Sequence, residues 1–138
     1  HGRIADGYFS LYSKDFDKSY IEKAVKIYAD VIQEKGVTGE FRQQSLYKLG
    51  KCLELQDLTG MAMGKYEEVR TDYESQPAAT ALWYVKASNS LATLILNKGN
   101  PESAKKAITI YRSLIRQGIE PIEDYKSEIL KIKHKYKL

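Results

Sequence analysis

Few residues in this chain have the type and spacing that chemistry needs. There are two histidines, His1 and His134. A metal site requires several converging ligands, and His134 sits among lysines with no second ligand three or four positions away. Cys52 is the single cysteine, so no internal disulfide and no thiolate cluster can form. On a helix, a lone cysteine reads as a small buried hydrophobe. Glu67-Glu68 and Glu123-Asp124 are adjacent acids. Neighbouring positions on a helix point apart, so neither couple is set up as a general acid and base. No nucleophile elbow, phosphate-cradling glycine loop with Lys-Ser/Thr, or paired-histidine zinc helix occurs. The reading is therefore of a chain with no catalytic residue, no metal site and no cofactor, one that binds and does not catalyse.

Charge supplies the next candidate. The formal net charge is +4, and residues 126–138 carry five lysines against one acid, Glu128. The remaining residues hold 17 basic and 17 acidic side chains, so the whole excess lies at the C-terminal end. Lys131, Lys133, Lys135 and Lys137 alternate along the chain. On a helix such alternation spreads them over several faces, whereas a nucleic-acid or anionic-lipid site would gather them beside aromatics. A solvated helix end suited to the helix dipole is the simpler reading. Binding of nucleic acid or an anionic surface through this segment is the alternative function.

The elements that would position these residues are helical. Hydrophobic residues make up 43% of the chain and charged residues 29%, enough apolar surface for one folded domain. No run of about 18 apolar residues is present. Apolar spacing of three and four predicts helices at about 3–13, 20–35, 40–56, 61–74, 78–98, 101–117 and 121–136, with 78–98 the longest. Ser19 and Glu22 form a capping-box pair. Gly36 and Gly118 end helices, and Gln76-Pro77 breaks the chain. In Lys98-Gly99-Asn100-Pro101-Glu102, Gly99 stops one helix, Asn100 caps the next and Pro101 fits its first turn. His1-Gly2 reads as a tag remnant, and the chain begins in mid-pattern, as an excised piece of a longer repeat protein would.

Three segments share one stripe: Ala24, Tyr28, Val31; then Ala62, Tyr66, Val69; then Ala107, Tyr111, Leu114. A small residue, an aromatic four on and an aliphatic three further lie on one helical face. The small residue admits a neighbouring helix and the tyrosine fills the wider gap beside it. With Leu46, Leu49, Gly50 and Leu53 ahead of Ala62 and Tyr66, the segment from about Gln43 to Gln76 resembles a tetratricopeptide repeat, a 34-residue helical hairpin. In that pattern Gly50 is the close-contact point between the two helices. The other copies are degenerate, since the markers recur after 38 and then 45 residues. Tyr66-Glu67-Glu68-Val69, running through Tyr73 to Pro77, also resembles bacterial cell-envelope members of the family. That likeness implies a periplasmic or envelope location, with the cytoplasm as the alternative.

The resemblance implies an all-α, right-handed superhelix over residues 3–138. Its antiparallel pairs would lie at about 3–35, 40–75 and 78–117, with a capping helix at 121–137. It implies a scaffold or adaptor that takes a peptide or partner helix on its concave wall. By family spacing that wall carries Gln44, Tyr47, Lys51 and Glu54, joined by Tyr84, Ser88 and Asn89. Tyrosine suits such a surface because it offers large contact area with few rotors. Tyr47 and Tyr84 could equally pack against neighbouring helices. Some family members clamp a peptide carboxylate with paired Lys and Asn. Here Lys51 stands where Asn would be and Tyr47 where Lys would be, which departs from that clamp.

Overall fold

In the computed structural model, which describes residues 18–34, 36 and 38–138, the chain is all-α. Six helices are described: α1 (Lys18–Gln33), α2 (Gly39–Leu55), α3 (Thr59–Ser75), α4 (Leu82–Leu96), α5 (Pro101–Arg116) and α6 (Ile122–Tyr136). The helix expected at 3–13 lies outside the described residues. Consecutive helices pack against each other mostly in antiparallel fashion, as short connections between them require. No helix among the described residues is long and apolar enough to cross a membrane.

Local signals set most of the boundaries. Gly36, Gly99 and Gly118 each adopt a left-handed φ, at 92°, 70° and 70°, where a side chain would be strained. The Asn100 side chain accepts a hydrogen bond from the Ser103 backbone N–H at 2.8 Å, and Pro101 occupies the first turn behind it. In the connection before α6, the Glu120 carboxylate accepts from the Ile122 N–H at 3.1 Å. Glu123 and Asp124 then lie in the first turn and Lys133, His134 and Lys135 in the last, complementing the dipole.

Three expectations are corrected. The helix predicted from 78 starts at Leu82, where the Thr80 hydroxyl accepts from the Leu82 N–H at 3.2 Å and sets the start. At 15 residues α4 is shorter than the 17-residue α2 and α3, not the longest. Ser19 lies inside α1, which already runs from Lys18, so it is not the cap.

The chain divides into two compact units, one ending at Tyr84 and the other running from Val85 to Leu138. In the first unit α1 packs on α2 and α2 on α3. Its core holds Ala24, Tyr28 and Val31 from α1, Leu46, Leu49, Cys52 and Leu53 from α2, and Ala62, Tyr66 and Val69 from α3. Ala62 and Tyr66 are fully buried, as the stripe requires. A Cβ built on Gly50 would come within 2.5 Å of Tyr66 Cε1, so the bare backbone at this position seats the ring. In the second unit α5 packs on α6. Ala107 and Leu114 are fully buried there, and the Tyr111 and Tyr125 rings stack at 6.3 Å.

Candidate functional site

The first candidate surface grows from one helix. Positions 44, 47, 51 and 54 fall on a single stripe of α2, the side opposite the buried Leu46, Leu49 and Leu53. Gln44, Tyr47, Lys51 and Glu54 are all half-buried. Lys51 Nζ lies 3.3 Å from the Glu54 carboxylate and sits over the rings of Tyr47 and Tyr66, at 5.6 and 5.7 Å. The Tyr66 hydroxyl, arriving from α3, donates to Glu54. Tyr47 is held between aromatics, with Tyr66 at 5.7 Å and Trp83 at 5.8 Å. The row is thus braced on its inner side and open on its outer side.

Tyr84 and Ser88 require a correction. Both are fully buried, so neither can meet a partner from the surface. Tyr84 stacks on Tyr73 at 4.5 Å, lies under the Arg70 guanidinium at 5.8 Å and donates its hydroxyl to Glu74 at 2.6 Å. It is a packing residue of the first unit. Asn89 is exposed, but it belongs to the second unit.

Two further side chains join this surface. Phe41 is 47% exposed and Leu55 39% exposed. With Gln44, Lys48 and Lys51 between them, they continue one face of α2 at steps of three and four. Lys48 Nζ sits 5.9 Å from the Trp83 ring. Apolar side chains at steps of three and four carry no mark of whether a neighbouring helix covers them, so the sequence held no signal for these two. The open face of α2 therefore presents Phe41, Tyr47 and Leu55 around the cations of Lys48 and Lys51. Its underside is tied to α3 by Gln43, whose amide nitrogen donates to Asp72 at 3.2 Å, and by Arg42, whose guanidinium lies 3.5 Å from the same carboxylate.

The basic end sorts onto two sides of α6. Lys131 and Lys135 share a side with Asp124 and Glu128, and Lys131 pairs with Glu128 at 3.4 Å. Lys133 shares the other side with Lys126 and with Leu130, which is 67% exposed, while Lys137 follows the helix in a left-handed conformation. Lys126 pairs with Glu123 at 3.4 Å. The alternation thus gives two sides, only one of which gathers cations around an apolar residue. Cys52 is fully buried and His134 exposed. Among the described residues, no three His, Cys, Asp or Glu side chains converge.

The second unit also carries a cleft of about 650 Å³, lined among others by Asn89, Tyr111, Asp124, Tyr125, Glu128 and Lys131. Burial, then the Glu128 carboxylate and then Tyr125, push the Tyr111 phenol above its usual pKa of 10.0. Burial, then Asp124 and then Glu120, do the same to Tyr125. Both phenols are therefore neutral and protonated near pH 7.

No protein-family model matches this chain, no curated protein is similar to it, and no solved structure matches it.

Proposed function

We propose that this chain is a binding module of tetratricopeptide-like helical hairpins, which recognises a segment of another protein on the open face of α2. One observation carries the reading. Phe41 and Leu55 are 47% and 39% exposed and Tyr47 is half-buried on a helix whose opposite side is packed, with Lys48 and Lys51 between them. Aromatic anchors beside oriented charges are the composition of recognition surfaces. The packed Ala–Tyr–aliphatic stripes and the Gly50 contact support the hairpin type. No covalent step is involved. The mechanism is shape and charge complementarity on a surface rigid before the partner arrives, which lowers the ordering entropy of association.

Random-peptide display on the folded chain tests this. The expected result is an enriched family of sequences that the Lys51→Glu variant no longer captures, while its melting curve stays close to that of the parent. Enrichment of nothing, or capture unchanged by Lys51→Glu and by Tyr47→Ala, overturns it.

A second reading is favoured by Leu130 standing between Lys126 and Lys133 on one side of α6, an arrangement that suits an anionic surface. Binding to anionic vesicles that falls steeply with added salt supports it, and no binding at low salt removes it.

A further inference from the structure

The cleft of the second unit has a chemical character that the open face of α2 lacks. Tyr111 and Tyr125 are only 7% and 6% exposed, yet both border the cleft. Neither phenol hydroxyl has a hydrogen-bond partner among the described residues, and neither is sealed from solvent. A nearly buried hydroxyl is ordinarily satisfied by the protein, because leaving it unmade is unfavourable. Here two adjacent phenols that line one cleft have no protein partner for that capacity among the described residues.

Charge narrows the ligand. Asp124 and Glu128 line the same cleft against a single cation, Lys131. Lys131 is 71% exposed and pairs with Glu128 across 3.4 Å, a contact that solvent weakens and a competitor can displace. Asp124 has no ion pair among the described residues. Burial, and after it the neighbouring carboxylates, raise both phenols above their ordinary pKa. A carboxylate beside neutral phenol rings and hydroxyls suits a planar cation with several donors. It offers an acceptor for the charge, oxygen acceptors for the remaining N–H groups and aromatic surface for the stem.

We infer that this cleft receives an arginine side chain of a polypeptide partner, with Asp124 as the charge partner and the Tyr111 and Tyr125 hydroxyls as acceptors. The inference shares with the proposed function only the premise that the partner is a polypeptide, and it uses none of the α2 residues. The cleft is open to solvent, and its volume, about 650 Å³, leaves room for a guanidinium and its stem.

The test uses the whole chain and a blocked pentapeptide, acetyl-Gly-Gly-Arg-Gly-Gly-amide, beside the same peptide with citrulline, which keeps the shape and loses the charge. Binding is read from amide chemical shifts. The arginine peptide should move the resonances of Asn89, Tyr125 and Ser127 in a saturable way, and the citrulline peptide should bind about tenfold more weakly. Asp124→Asn should abolish the difference between the two peptides. Tyr125→Phe, which keeps the ring, should weaken the arginine peptide without altering the melting curve. Lys51→Glu should leave every one of these shifts unchanged, which separates this site from the α2 surface. Equal shifts from both peptides, shifts confined to the first unit, or a charge preference that survives Asp124→Asn would each overturn the assignment.

Discussion

The Cα of Gly50 in α2 faces the ring of Tyr66 in α3 so closely that one added methyl would lie 2.5 Å from Cε1 and 2.9 Å from Cδ1. Tyr66 is fully buried and its hydroxyl donates to Glu54, so the ring has nowhere to withdraw. Two effects of Gly50→Ala oppose each other. Helix propensity favours alanine by up to about 1 kcal/mol. Overpacking in a full core disfavours it by about 1–3 kcal/mol. The clash should win, lowering the urea midpoint. In a Tyr66→Val background the ring is gone, and the same change should become neutral or stabilising. A double-mutant cycle reads this reversal of sign directly.

The start of α5 depends on one side chain. Asn100→Ala removes the acceptor for the Ser103 N–H, and the expected loss is about 0.5–2 kcal/mol by thermal or urea unfolding. Asn100→Asp keeps an acceptor at the same place and should lose far less. Equal losses in both variants would contradict a capping role.

Alkaline pH should weaken the second unit. Tyr111 and Tyr125 have folded-state pKa values raised above 10.0, first by burial and then by neighbouring carboxylates. The folded state therefore holds these protons more tightly than the unfolded chain does. Their contribution is complete below the unfolded value of about 10, and is lost as pH rises through that value towards the raised folded ones. Phenolate absorbance should show Tyr111 and Tyr125 among the late-titrating tyrosines, and urea stability should decline over the same window. Tyr111→Phe and Tyr125→Phe should each flatten that decline. Titration of all tyrosines together near 10 would contradict the burial argument.

Much of the helical layout was legible because its signals are local. Gly36, Gly99 and Gly118 need left-handed φ, and Asn100-Pro101 carries both cap and first turn within two residues. The Ala–Tyr–aliphatic stripe was legible too, since three and four residues are one turn apart whatever lies opposite. Thr80 was overlooked because a hydroxyl two residues ahead of Leu82 competes with a run of alanines that propensity alone would make helical. Tyr84 and Ser88 were misplaced for a different reason. Whether a tyrosine is a contact or a packing residue depends on what faces it, and the stack with Tyr73 and the bond to Glu74 involve residues ten or more positions back. Phe41 and Leu55 fall under the same limit. Their exposure follows from which side of α2 the neighbouring helices cover, and no local pattern records that.

The most direct measurement is a chemical-shift map of the folded chain with a display-selected peptide. The largest changes should fall on Phe41, Gln44, Tyr47, Lys48, Lys51 and Leu55, with Leu46, Leu49 and Leu53 behind them little moved. Saturating changes that leave α2 untouched, or that appear only as the chain unfolds, would contradict recognition on α2.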